Sequence, residues 1–176
     1  MLMLSGCAGD RISRSFACRF YYYMQYHNPS LVRTAALSTS TFVMVSVTRA
    51  ANGAYTVSAV DQSGHSETVR LTNEVETRRY STGIYLGAAN GIILGREGYD
   101  NRLVAYDRQC PNCISERGGR SYPLSFTGAM STVRCGVCGR TYDLYTGNVT
   151  AGGKSGDDRL MEYSATINGD MLYVGN

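Results

Sequence analysis

The sequence predicts an all-β domain of many short strands, and three features of the chain support this fold class. Twenty glycines and fourteen tyrosines favour strands that are joined by tight turns. An apolar fraction of 43% is enough for a hydrophobic core, and a charged fraction of only 18% argues against a disordered chain. Several segments alternate apolar and polar residues, whereas none keeps a helical period for long. At 176 residues the chain has room for one domain, with or without a short appendage.

The first half of the chain predicts a meander of three antiparallel strands. Residues 42–47 alternate cleanly and place three valines on one face of the first strand. Asn52-Gly53 then predicts a tight hairpin, because both central residues of a type I′ turn need a positive φ. The returning strand covers residues 55–59, and a second turn leads into the third strand at residues 65–71.

The second half of the chain repeats this pattern of short apolar segments and turns. Only two segments, 31–38 and 73–80, could hold a short helix. No apolar run approaches the length of a membrane-spanning helix, and a mild net charge of +3 gives no strong case for nucleic acid on electrostatics alone. The remaining predicted strands are 91–95, 103–106, 162–167 and 171–174, the last two forming a hairpin.

The N-terminus carries a short motif with a possible targeting function. Leu4-Ser5-Gly6-Cys7 follows three apolar residues and resembles a bacterial lipobox, in which the signal is cut before the cysteine and the thiol is lipidated. The resemblance implies that residues 1–7 belong to a lipoprotein signal and that Cys7 is the lipidation site. Residues 8–30 begin polar and basic and then become aromatic, which predicts a linker that enters a first strand. The alternative is an ordinary disordered N-terminus.

The strongest chemical signal is a pair of C-x-x-C motifs, Cys110/Cys113 and Cys135/Cys138, separated by 21 residues. Two thiolates three residues apart in a tight turn can face one ion, and a second such turn completes a tetrahedron. Gly136 lets the second loop bend around the ion. The spacing therefore predicts a metal site on these four cysteines.

Disulfides and thiol redox chemistry account less well than a metal for the four cysteines. Structural disulfides suit an exported protein, but a bond within C-x-x-C closes a very small, strained loop. A redox-active dithiol of the thioredoxin type is expected in a βαβ setting, which the pattern of this chain does not predict. Of the two remaining cysteines, Cys18 has no evident partner, and we expect a small buried hydrophobic residue there.

The C-terminal half resembles a Rieske domain in the order and spacing of its motifs. In that family a strand pair leads to C-x-H, a second loop carries C-x-x-H, and an aromatic-Asp-x-x-Thr-Gly segment, a glycine-rich turn and a closing hairpin follow. The resemblance covers roughly residues 90–176 and implies a Rieske-like antiparallel β-sandwich with two metal-binding loops. The matching segments are 103–107, 110–113, 135–138, Tyr142-Asp143-Leu144-Tyr145-Thr146-Gly147, 152–153 and 169–174.

The chain differs from the Rieske pattern at both histidine ligands. Asn112 stands where the first histidine is expected, with Cys113 one place later, and Cys138 replaces the second. The two histidines of the chain, His27 and His65, are far from both loops in sequence. Since two imidazoles on one iron raise the potential of a Rieske cluster, an all-cysteine site is not expected to perform the same redox chemistry.

Four thiolates leave two cofactors open. The first is a structural zinc ion that joins the two loops and takes no part in catalysis. The second is an all-cysteine [2Fe–2S] cluster, which would make the protein an electron carrier. Paired C-x-x-C turns with glycines favour zinc. Five arginines between residues 108 and 140, against one acid, are available to compensate the negative charge of such a site.

These observations predict a non-catalytic, metal-binding lipoprotein of the bacterial cell envelope, anchored on the periplasmic or outer-membrane face. Residues 31–176 are expected to form the Rieske-like domain, with N-terminal strands in 31–84 and the metal-binding core in 85–176. The expected partners are the membrane and an unidentified envelope protein, with no nucleic acid and no evident small-molecule substrate. A zinc ribbon that grips nucleic acid through its arginines would require a cytoplasmic chain. Asp157-Asp158 is expected to be a solvated turn.

Overall fold

The computed structural model describes residues 11–129 and 131–176, and it confirms the all-β, sandwich-like class. Strands account for 42% of these described residues and helices for 14%. Within these residues no helix is long and apolar enough to cross a membrane. The strands are β1 (Cys18–Tyr23), β2 (Phe42–Arg49), β3 (Tyr55–Asp61), β4 (Ser66–Leu71), β5 (Tyr85–Leu86), β6 (Gly91–Arg96), β7 (Leu103–Asp107), β8 (Leu124–Phe126), β9 (Thr132–Cys135), β10 (Thr141–Asp143), β11 (Val149–Ala151), β12 (Glu162–Asn168) and β13 (Met171–Gly175).

Two antiparallel sheets make up the fold. The large sheet has nine strands in the order β4-β3-β2-β6-β7-β12-β13-β1-β5, and the small sheet has four in the order β11-β10-β9-β8. The predicted meander is confirmed as β2, β3 and β4, and the predicted closing hairpin as β12 and β13. The small sheet is built entirely from the segment that carries the second cysteine pair.

The central strands of the large sheet, β2, β6 and β7, are buried on both faces because they separate two hydrophobic cores. Alternate residues of β2 divide between them: Val43 and Val45 face the first core, whereas Phe42 and Met44 face the second. The first core also contains the helix α1 (Leu31–Leu37) and the aromatic residues of β1. The second core lies between the large sheet and the small sheet, and it contains three of the four cysteines of the C-x-x-C motifs.

Both predicted helices form, and each begins at a side-chain cap. The Ser30 hydroxyl accepts a hydrogen bond from the Arg33 backbone N–H at the start of α1. The Asn73 side chain accepts one from the Val75 N–H at the start of α2 (Glu74–Arg79), which a 3₁₀ turn at Tyr80–Thr82 follows. A third helix, α3 (Pro111–Arg117), lies where the sequence predicts only a turn.

Strand β1 lies within residues 8–30, the range predicted to be a linker that enters a first strand. It pairs with β13 on one side and with β5 on the other, so it is part of the large sheet. Phe20 and Tyr22 are fully buried while their neighbours are partly exposed. The aromatic cluster therefore belongs to the first core, because alternate rings along the strand point into it.

Gly87 shows how closely the chain approaches the buried carboxylate of Asp107. The residue has a φ of +69°, and a Cβ atom there would lie 2.1 Å from Asp107 Oδ2. The same carboxylate oxygen accepts hydrogen bonds from the Ala88 N–H at 2.7 Å and from the Tyr163 hydroxyl at 2.8 Å. Asp107 thus holds the loop before β6 against the end of β7.

We expect Gly87→Ala to destabilise the protein by about 3 kcal/mol, because a steric overlap adds to the cost of a positive φ. The matched control is Gly64→Ala, since Gly64 has a φ of +86° and a Cβ atom there would meet no other atom within 4 Å. The control is expected to lose only about 1 kcal/mol. Urea unfolding of both variants measures the difference, and equal losses would contradict the proposed close approach.

Candidate metal centre

The four cysteines of the two C-x-x-C motifs converge at one place in the second core. All four sulfur atoms lie within 4.8 Å of one another. The Sγ atoms of Cys110 and Cys138 are 3.7 Å apart, as are those of Cys113 and Cys135. None of these cysteines is in a disulfide. Since thiolates this close can share one ion, the arrangement is able to bind a metal.

The first pair sits at the beginning of helix α3. Cys110 is the N-cap residue, Pro111 is the first helical residue, and the Ile114 N–H donates to the Cys110 carbonyl at 3.2 Å. Proline suits this position because its fixed φ is helical and its missing N–H has no partner there in any case. Cys113 follows within the same turn, so its sulfur lies on the side of Cys110. The helix N-terminus also stabilises negative charge on sulfur.

The second pair sits in the tight turn between β9 and β10. The Cys135 N–H donates to the Arg140 carbonyl at 2.9 Å, and the Gly139 N–H donates back to the Cys135 carbonyl at 2.9 Å. Gly139 has a φ of +75°, a conformation that favours glycine. The turn leaves Cys138 half-buried and exposes Val137, whereas Cys135 is fully buried.

A network of buried polar groups fixes the segment that leads to Cys110. The Asp107 carboxylate accepts a hydrogen bond from the Gln109 N–H at 2.8 Å, and the Gln109 side-chain oxygen accepts one from the Tyr122 N–H at 2.6 Å. The Tyr122 carbonyl in turn accepts from the Cys110 N–H at 2.9 Å. Burial raises the pKa of Asp107, and the hydrogen bonds that it accepts from Ala88, Tyr163 and Gln109 oppose the rise. The position of the first sulfur is therefore determined by main-chain contacts on both sides.

Asn112 connects two segments around the sulfurs. Its side-chain N–H₂ donates to the Tyr142 hydroxyl at 2.8 Å and to the Asp158 carbonyl at 2.9 Å, and its oxygen accepts from the Asp158 N–H at 2.9 Å. The Tyr142 oxygen lies 3.2 Å from the Cys110 sulfur. Asn112 is thus close to the sulfur cluster without taking part in it, and no local sequence signal indicates this role or that of the Tyr142 hydroxyl.

The surroundings of the four cysteines give their thiols different pKa values. Burial raises the pKa of Cys110 to about 11, and it also raises that of Cys113. Cys138 differs: burial opposes ionisation, but hydrogen bonds from the Arg140 backbone and side chain lower its pKa to about 6. Because a metal ion binds thiolates, it must displace protons from the buried thiols.

Arg140 joins three segments around the second cysteine pair. Its guanidinium forms two bonds of 2.8 Å to the carboxylate of Asp157, and a third of 2.7 Å to Glu116 on α3. Lys154 also reaches Glu116, at 2.7 Å. The prediction of a solvated turn at residue 157 is wrong, since the Asp157 side chain is only 4% exposed. Its carboxylate is buried because the Arg140 guanidinium, itself 6% exposed, pairs with it.

The remaining residues singled out in the sequence lie elsewhere. Cys18 is buried in the first core, as expected, and its sulfur contacts the Val174 carbonyl at 4.0 Å. His65 is exposed and pairs with Asp61, while His27 pairs with Glu76 at 2.8 Å. Neither histidine belongs to the cysteine cluster. Cys7, the predicted lipidation site, is outside the described residues.

Comparisons with known proteins add no family to these observations. No protein-family model matches the chain, and no curated protein or solved structure matches it either. The only guide to the chemistry of the cysteine cluster is therefore its own geometry.

We expect Arg140→Gln to lower the melting temperature Tm by about 5 °C or more, because it leaves the buried Asp157 carboxylate without its cation. The matched control is Arg117→Gln, an exposed arginine at the end of α3 that makes no ion pair within the described residues. Its Tm is expected to stay within about 2 °C of the wild-type value. Thermal unfolding followed by circular dichroism distinguishes the two, and equal shifts would contradict a special role for the pair of Arg140 and Asp157.

Proposed function

We propose that Cys110, Cys113, Cys135 and Cys138 bind one zinc ion, and that this ion stabilises the fold without taking part in catalysis. The observation that carries the proposal is the separation of the sulfurs. Four thiolates on one zinc at about 2.3 Å form a tetrahedron with edges of about 3.8 Å. The distances of 3.7 Å for Cys110–Cys138 and for Cys113–Cys135 correspond to such edges.

The ligand set supports a structural role for the metal. Catalytic zinc sites use three protein ligands and keep a position for water or substrate, whereas four cysteines close the coordination sphere. Three of the four sulfurs are also buried, so a substrate has no direct approach to the ion. The ion would instead tie the N-terminus of α3 to the turn between β9 and β10, which are distant in sequence.

The alternative cofactor, a [2Fe–2S] cluster, places the four thiolates on two irons. Thiolates on different irons are then separated by more than the edge of a single tetrahedron. A spread of at most 4.8 Å over all four sulfurs favours one ion. We retain the resemblance to Rieske domains as part of the proposal, on the order of the motifs alone, with four thiolates in place of two cysteines and two histidines.

Metal analysis of natively purified protein tests the proposal. We expect one zinc per chain, no visible absorption, and a Tm that falls when a strong chelator removes the metal, because metal-binding free energy is folding free energy here. Cys110→Ser and Cys138→Ser should each lose most of the zinc. Cys18→Ser is the matched control, since Cys18 is also buried and free but lies in the first core.

Three results would overturn the assignment. Two irons per chain with a red-brown colour would identify the diiron cluster and an electron carrier. Protein without metal, or with disulfides between the four cysteines, would remove the metal site altogether. Loss of zinc from Cys18→Ser to the same extent as from Cys110→Ser would show that the variants act through unfolding.

We further propose that the protein is an envelope lipoprotein anchored through Cys7, on the support of Leu4-Ser5-Gly6-Cys7. Ile12 forms a β-bridge with Glu162 on the domain. Five residue steps separate Cys7 from Ile12, which is about 18 Å of extended chain at most. An anchor on Cys7 would therefore hold the domain next to the membrane surface, where its partner would be another envelope protein.

The anchor is tested by Cys7→Ser in a bacterial host that lipidates its exported proteins. Wild-type protein should sediment with the membranes and take up labelled palmitate, while the variant should remain soluble and unlabelled. Cys18→Ser is again the control, and it should behave as the wild type does. Equal sedimentation of the wild type and Cys7→Ser would contradict lipid anchoring.

A further inference from the structure

A cleft opens at the edge of the first core, away from the cysteine cluster. It has a volume of about 650 Å³, within the range of small-molecule sites. Its walls come from five places in the chain: residues 15–17, the hairpin of β2 and β3, the loop and strand at residues 83–87, Asn90 before β6, and the loop after α3. None of the cysteines of the metal centre lines it.

Two arginines in this cleft lack an acidic partner. Arg49, at the end of β2, lies over the Tyr55 ring at 5.3 Å, and Arg120, after α3, lies over the Phe16 ring at 5.4 Å. Neither guanidinium forms an ion pair within the described residues, and no aspartate or glutamate lines the cleft. Stacking on a ring leaves the N–H groups at the edge of each guanidinium free to donate.

Apolar and aromatic residues line part of the cleft, beside the polar side chains of Ser15 and Asn90. Val47 and Leu86 are buried at its base, and the exposed Tyr85 forms one wall. The guanidinium of Arg19 lies 5.3 Å from the Tyr85 ring and donates to the carbonyl groups of Thr82 and Gly83. These contacts hold the wall in place before any ligand arrives, which lowers the cost of binding.

We propose that this cleft binds a small organic anion: a carboxylate or phosphate group carried on a ring. The oxyanion would accept hydrogen bonds from Arg49 and Arg120, whose planar groups match the geometry of carboxylate and phosphate. The ring would pack against Tyr85 and the apolar base. Two free cations in an acid-free cleft favour an anion, and the aromatic walls favour a ring over a bare ion. This activity is independent of the zinc site.

Titrations of the natively purified protein test the proposal with four probes. Phenyl phosphate and benzoate carry both features, inorganic phosphate lacks the ring, and phenol lacks the charge. We expect saturable binding of phenyl phosphate or benzoate, weakened about tenfold or more when either partial probe is used instead. Amide chemical shifts should change at residues 83–87 and around Arg120, and the two full probes distinguish phosphate from carboxylate preference.

Arg49→Gln and Arg120→Gln should each weaken binding of the preferred probe about tenfold, with an unchanged Tm. The matched control is Arg70→Gln, which removes an exposed arginine of β4 that does not line the cleft. It should bind as the wild type does. The proposal is overturned if neither full probe saturates, if phenol binds as tightly as benzoate, if inorganic phosphate binds as tightly as phenyl phosphate, or if Arg70→Gln weakens binding equally.

Discussion

The crowding of four sulfur atoms inside the second core is the constraint on which the rest of the structure depends. Thiols at these distances must either keep their protons or share a cation, because unpaired thiolates repel one another in a buried site. The fold answers this constraint with a helix N-terminus beneath one pair and the Arg140 guanidinium beside the other. The small sheet flanks the second cysteine pair: β9 ends at Cys135, and β10 begins after the turn that carries Cys138.

Hydrogen bonds and ion pairs join the segments of the chain that surround the cysteine cluster. Asn112 and Asp158 exchange main-chain and side-chain hydrogen bonds, and Arg140 binds Asp157 in the same loop. The loop at residues 157–158 therefore supports both cysteine pairs at once. Such satisfied polar networks specify one arrangement of the chain, since breaking any member leaves a buried group unpaired.

Local sequence patterns predict much of the fold but only part of the site. Alternation identified β2, β3 and β4, and the C-x-x-C spacing identified the four cysteines that the structure brings together. Helix α3 was missed because its seven residues are too short to show a period, and Pro111 indicates a turn as readily as a helix start. The pairing of Asp157 with Arg140 was missed because it joins residues 17 positions apart through a tertiary contact that no local signal encodes.

Strand β2 contributes one face to each of the two hydrophobic cores, and its last residue, Arg49, lines the cleft proposed to bind an anion. The two hydrophobic cores therefore share β2 as a common boundary. Because Phe42 and Val43 are neighbours on one backbone and belong to different cores, a substitution that shifts β2 is expected to disturb the packing of both cores.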